Sequence, residues 1–190
     1  MAQPDVERWS PLKVWLYSLL NRSPKSNVEV VEYANLSPDD RFLDVGCGPG
    51  AALEHALEKG AEVAGVDPSA SMVKRAANRV PGADVRLGSA EAIPFADDIF
   101  TVVINVSSFH HWADREAGLR EIRRVLAPGG RLHIVEGKLR EGQDGHGLNT
   151  QDARVLEEKL GELGYTSQDV DTIKTGWRHE YIVVSATKPV

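Results

Sequence analysis

Short apolar runs rich in Val, Ile and Leu alternate along this chain with longer segments of helical spacing, and the alternation restricts the fold sharply. Strands joined through helices return parallel to one another, so the pattern predicts a doubly wound α/β sheet, mostly parallel, with helices on both faces. Strands are expected at Arg41–Val45, Glu62–Val66, Asp84–Leu87, Phe100–Val106, Arg131–Val135, Val170–Lys174 and Glu180–Ala186. Val102, Val103, Ile104 and Val106 surround Asn105 in a nearly unbroken apolar run, which predicts a central strand covered on both faces. Helices are expected at Ala51–Lys59, Ala70–Arg79, Asp114–Leu126 and Asn149–Leu163, with Pro128, Gly129 and Gly130 turning the chain into the fifth strand.

The chain has 190 residues, enough for one domain with a sizeable core, so residues 1–190 are read as a single unit. Residues 1–36, with Trp9, Trp15 and Tyr17, are expected to form helices that either cover the mouth of the sheet as a lid or pack on it; residues 38–190 form the core. Residues Gly137–Gly147 read as a mobile surface loop. A formal charge of −6 opposes a surface built to grip phosphate backbones, and no nucleic-acid partner is expected. The apolar segment Val14–Leu20 is too short to cross a membrane, and a cytoplasmic protein without membrane contact is expected. Cys47 is the only cysteine, which excludes an internal disulfide framework, and no zinc-like spacing is present.

The densest information lies in Phe42-Leu43-Asp44-Val45-Gly46-Cys47-Gly48-Pro49-Gly50, a strand that enters a glycine turn just ahead of a helix. Glycines there allow positive φ and let a ligand approach the backbone, while the helix start offers unpaired N–H groups. Asp67 ends the second strand 21 positions after Gly46. That carboxylate is placed either to accept hydrogen bonds from a ribose diol or to cap the next helix. Gly46, Gly48 and Ala51 satisfy a dinucleotide pattern, and Gly46, Gly48 and Gly50 a tighter GxGxG, but Asp44 stands where a carboxylate would oppose a pyrophosphate and suit a cationic group.

Together with later segments, this stretch resembles the class I S-adenosylmethionine-dependent methyltransferases, and among them the small-molecule branch called type 11. The segments are Leu43–Gly50, Gly65–Ser69 with Met72, Gly88–Glu91 with Pro94 and Phe95, Phe109-His110-His111, and Arg124–Gly130. The resemblance spans about residues 38–136 and implies a Rossmann-like seven-stranded sheet with an antiparallel last strand. It implies S-adenosyl-L-methionine as cofactor, with its methionine portion held by Asp44 and the turn Gly46, Cys47, Gly48 and Gly50, and its ribose by Asp67. Pro68 and Met72 would face the adenine, Ser89, Ala90 and Glu91 would lie near its edge, and Asn105 and Ser107 would sit beneath the transferring methyl group. Two positions depart from the family pattern, Ser89 and Thr101, where relatives carry Asp; the second is expected to affect only the scaffold.

Methyl transfer from a sulfonium is an in-line displacement with an already activated leaving group, so the protein must chiefly align the reactants and exclude water. His110 and His111 are the candidates for a catalytic base, against a reading in which they shape the loop after the fourth strand. Trp112 is either a pocket wall or core, and Cys47 is expected to be a packing element. His55, His133, His146 and His179 receive no role. The reading is methyl transfer to a small-molecule acceptor, giving S-adenosylhomocysteine. An NAD-dependent oxidoreductase and a non-catalytic cofactor-binding regulatory protein stand as alternatives. The short loop between the fifth and sixth strands suggests an open acceptor site, or one completed by a second copy or another partner.

Overall fold

The computed structural model describes residues 25–143, 145–175 and 179–190. Seven strands form one sheet: β1 (Arg41–Val45), β2 (Glu62–Asp67), β3 (Asp84–Leu87), β4 (Phe100–Val106), β5 (Leu126–Gly137), β6 (Thr166–Thr175) and β7 (His179–Thr187). Among the described residues, five α-helices accompany them: α1 (Lys25–Ala34), α2 (Ala51–Glu58), α3 (Ala70–Arg79), α4 (Arg115–Val125) and α5 (Thr150–Glu162). The strand order is β3-β2-β1-β4-β5-β7-β6, with the first five parallel and β7 antiparallel to both neighbours.

Strand alternation sorts the core into two layers. Leu43 and Val45 face one side with α4 and α5, through Leu119, Ile122, Val125, Leu156 and Leu160. Phe42 faces the other with α1, α2 and α3, through Val30, Val31, Leu53, Ala56 and Ala76. β4 is buried on both faces, as its apolar run requires. The lid expectation concerns Trp9, Trp15 and Tyr17, which lie outside the described residues; the described end of that segment, α1, packs on the sheet.

Several boundaries shift. The α4 helix stops at Val125, before Pro128 is reached, and β5 already begins at Leu126, opposite Phe100, with a register break before Arg131 pairs Val102. Strand β6 begins at Thr166, because pairing with β7 extends an exposed, polar edge that apolar patterning does not mark. Residues 138–148 are pinned at their base, where Leu139 N–H donates to Leu148 O at 2.9 Å and Leu148 N–H to Gly137 O at 3.0 Å. Asn149 caps α5, its side chain accepting from Asp152 N–H at 2.8 Å.

Candidate active site

After β1 the chain turns away to β2 and β3 on one side, and it returns as β4 on the other. Side-by-side strands whose connections leave in opposite directions open a crevice at their carboxyl ends, which is where open α/β sheets take ligands. Here β1 and β4 are those neighbours.

The glycine turn is fastened across this edge. Gly46 and Cys47 N–H groups donate to Val66 O at 2.8 and 3.1 Å, closing the turn onto the end of β2. Gly46 has φ +82°, and a Cβ there would lie 2.1 Å from Ser108 Oγ, so only glycine lets the turn after β4 pack against the turn after β1. Gly48 has φ +50° and no atom within 4 Å of where a Cβ would stand, leaving its backbone open to an approaching molecule.

Asp44 is buried at 3% exposure, and its Oδ1 has no hydrogen-bond partner. Burial, and then the neighbouring Asp67, push its pKa up to about 8. A buried carboxylate oxygen without a donor suits a ligand that brings a positive charge and N–H groups. Asp67 uses both oxygens: Oδ2 accepts from Gly48 N–H and Oδ1 from Ser69 N–H, each at 2.9 Å. It therefore ties the glycine turn to the start of α3, whose N-cap residue is Ser69 rather than Asp67 itself. Burial raises the Asp67 pKa against these two hydrogen bonds.

From β4, Asn105 is fully buried; its Nδ2 donates to Val45 O at 2.7 Å and contacts Ser108 Oγ, while Oδ1 has no partner. Ser107, exposed at φ +52°, anchors the following turn through its N–H to Val135 O at 2.8 Å. Pro68, after β2, is exposed, and Met72, in the first turn of α3, is buried. Ser89, Ala90 and Glu91 follow β3. Ala90 packs toward α4, and Glu91 Oε1 accepts from Ala113 and Asp114 N–H at 2.9 and 3.2 Å, so that carboxylate braces the chain after the histidine pair. Burial pushes the Glu91 pKa up, but hydrogen bonds from backbone and Ser89 outweigh it and hold the group below its ordinary value.

His110 and His111 lie in a single 3-10 turn, Phe109–His111, directly after the end of β4. Two residues without a role in the sequence reading meet them, Glu136 and His146. Glu136, 1% exposed at the end of β5, accepts from His110 Nδ1 at 2.9 Å through Oε2, and from Phe109 N–H at 2.8 Å through Oε1. His146 reaches back from the 138–148 loop, its ring 4.7 Å from His110 and 5.6 Å from His111. A carboxylate ending the apolar run Leu132–Val135 was a signal for Glu136; nothing local marks His146. Burial, then the His110 and His146 rings, lower the His111 pKa. Trp112 packs on Phe109 with ring centroids 4.9 Å apart and lies over Gly118. Cys47 is a buried thiol whose pKa burial raises, the reverse of an activated one. His133, also buried, bonds Ser185 Oγ at 2.9 Å and is lowered to about 4 by burial and then Arg131. Among the described residues, no group of three or more His, Cys, Asp or Glu is placed to hold a metal ion, and no helix is long and apolar enough to cross a membrane.

Residues 43–134 match the model of a methyltransferase domain. The uncharacterized methyltransferase YdaC of Bacillus subtilis is 34% identical over 123 residues, covering 63% of this chain and 68% of that protein. The chain belongs to the S-adenosylmethionine-dependent methyltransferase family. This methyltransferase is also 36% identical over 141 residues to the 27-O-demethylrifamycin SV methyltransferase of Amycolatopsis mediterranei, covering 70% of the chain and 51% of that protein. It thus spans about half to two thirds of the length of these relatives. In three dimensions it is similar to the Haemonchus contortus phosphoethanolamine N-methyltransferase 2 solved with S-adenosyl-L-methionine, at TM-score 0.81 and 18% identity, over 98% of this chain and 59% of that one. The cofactor of this methyltransferase domain is S-adenosyl-L-methionine.

Proposed function

We propose that this methyltransferase acts on a small molecule and is one catalytic domain throughout. The observation that carries the assignment of the site is the unpartnered Oδ1 of buried Asp44 beside the open backbone of Gly48. A cationic amino group of the cofactor would supply the missing donor. In the carboxylate form that a bound ammonium favours, the same group would repel a pyrophosphate, which argues against a dinucleotide.

In this reading Asp44, Gly46, Cys47, Gly48 and Gly50 hold the methionine portion, and Asp67, fixed by two backbone donors, presents its remaining lone pairs to the ribose. Pro68 and Met72 flank the adenine, while Ser89 and Ala90 border its edge, with Glu91 acting through the backbone it braces. Asn105 and Ser107 floor the reacting end, where Asn105 keeps Oδ1 free for a donor. Bound cofactor supplies an electrophilic methyl group; the chain's residues align the acceptor with it and exclude water.

The small-molecule acceptor is supported by the relative named for 27-O-demethylrifamycin SV and by the fold neighbour named for phosphoethanolamine. A cytoplasmic setting is supported by the free, buried Cys47. An acceptor site shared with a second copy or another partner is supported by the short 138–148 connection, which adds no cover domain. Calorimetric titration with S-adenosylhomocysteine and with NADH tests the reading: micromolar binding of the first alone is expected, and the reverse result would sink it.

A further inference from the structure

Glu136 and His110 come from different strands and meet where two turns pack together. Asn105 pairs Ile134 and Val106 pairs Val135, so Glu136, held on its other side by pairing with Ile182 of β7, stands one step beyond the last residue of β5 that pairs with β4. His110 follows β4 by one short turn, and Ser108 of that turn lies against Gly46. The pair therefore occupies the edge that carries the glycine turn and Asn105.

The direction of the hydrogen bond follows from the groups. A carboxylate only accepts, so the ring nitrogen facing Glu136 Oε2 at 2.9 Å, His110 Nδ1, carries the proton. Its partner oxygen Oε1 accepts from Phe109 N–H at 2.8 Å and His110 N–H at 3.4 Å, which locks the carboxylate in place. In the neutral imidazole that leaves one nitrogen, Nε2, with a lone pair. Buried Glu136 also offsets the charge that the ring acquires on taking one up. His111 and His146 pack on the same ring with centroids 4.0 and 4.7 Å away, narrowing the orientations open to it.

We infer that Glu136 is a positioning residue that holds His110 with Nε2 free as a proton acceptor, and that the methyl acceptor attacks through an atom bearing a proton, such as a phenolic oxygen or a thiol sulfur. This rests on the methyltransferase site proposed above. The acceptor's lone pair forms the new bond to the methyl carbon while the carbon–sulfur bond breaks, its electron pair staying on sulfur as S-adenosylhomocysteine. The acceptor's proton passes to His110 Nε2 and from the imidazolium to water. No oxidant or further reactant is needed.

The test uses the full chain labelled with 15N-histidine, the His110 signals being assigned by their loss in His110→Asn. Wild type is expected to show His110 as the Nδ1–H tautomer, and Glu136→Gln, whose amide can donate to Nδ1, to shift it toward Nε2–H. An Nε2–H tautomer in the wild type overturns the proposal, and so does an unchanged tautomer in a folded Glu136→Gln protein. With S-adenosyl-L-methionine and a panel of a phenol, a thiol, a tertiary amine and a thioether, turnover is expected with a protic member. His110→Asn and Glu136→Gln should then each lower kcat by about 100-fold or more while the Kd for S-adenosylhomocysteine stays within about twofold. Turnover confined to the tertiary amine or thioether overturns the acceptor assignment; where no member turns over, the wild-type tautomer decides. Absence of S-adenosylhomocysteine binding defeats the site assignment by itself, because the tautomer is read equally well in the free protein.

Discussion

The two ends of the sheet treat their polar groups differently. At the amino end the partly buried Arg124, Thr101 and Lys188 side chains are all paired, with Arg123 Nε the exception. Arg124 donates to Phe95 O and Ile93 O at 2.9 Å and to Glu121 at 2.8 Å, and it pairs Asp97 at 2.6 Å. Thr101 donates to Asp40 at 2.7 Å and accepts from Arg41 N–H at 3.0 Å, and Lys188 bonds Leu126 O at 2.7 Å. A cavity of about 390 Å³ lies there, lined by Asp97, Asp98, Arg120, Arg123, Arg124, Leu163 and Lys188. Its size does not make it the site, because Arg120, Arg124 and Lys188 each already hold a carboxylate. At the carboxyl end, Asp44 Oδ1 and Asn105 Oδ1 are buried without partners. Satisfied groups hold the scaffold together, whereas unsatisfied ones cost stability and are retained where a ligand completes them.

Substitutions at each end should separate these roles. Asp44→Asn is expected to weaken S-adenosylhomocysteine binding by about 2–4 kcal/mol, since a charge-assisted contact is lost. The same substitution should raise the melting temperature of the free protein at pH 8, because a buried carboxylate is removed; differential scanning calorimetry and titration calorimetry read the two effects. A lower melting temperature together with intact binding would erase the contrast between the ends. Asp67→Ala should cost about 1–3 kcal/mol of cofactor affinity through unpaired ribose hydroxyls and a loosened glycine turn, with the fold retained. Arg124→Ala should do the opposite, lowering stability by about 1–2 kcal/mol in urea while cofactor affinity is unchanged.

The pH dependence gives a finer version of the same contrast. Asp44 is protonated below about pH 8 in the free protein, and a bound ammonium requires its carboxylate form. Binding below that pH must release a proton, so affinity should rise about tenfold per unit as pH increases toward 8 and level off above it. Titrations in buffers of different ionisation enthalpy would reveal the released proton. In the folded chain alone the sign reverses: the raised pKa means that the folded state binds more protons, so this group's contribution to stability falls as pH rises toward 8. The smallest effect is expected for Thr101→Val, about 1 kcal/mol of stability through the Asp40 and Arg41 contacts, with no change in cofactor binding.

The helices and central strands were legible because each buries one stripe or two faces, and burial writes a period into the sequence. Edge strand β6 was legible only over Val170–Lys174 and its start at Thr166 was not, because most of it is exposed and polar and its extent is set by hydrogen bonds to β7. Asp44 and the glycine turn were visible for a similar local reason, since a strand, a tight turn and a helix start occupy adjacent residues. Glu136 and His146 were not, because their proximity to His110 depends on β4 and β5 lying side by side and on how a loop folds back.

By itself the sequence determined the alternating architecture, the glycine turn and the acids beside it, since local sterics and periodic burial act over a few residues. The tertiary structure alone decided that Asp67 braces Gly48, that Glu91 braces the chain after the histidines, and that Glu136 directs one nitrogen of His110. Hydrogen bonds between distant segments leave no period in the chain; they exist only once the sheet has set its strands in order.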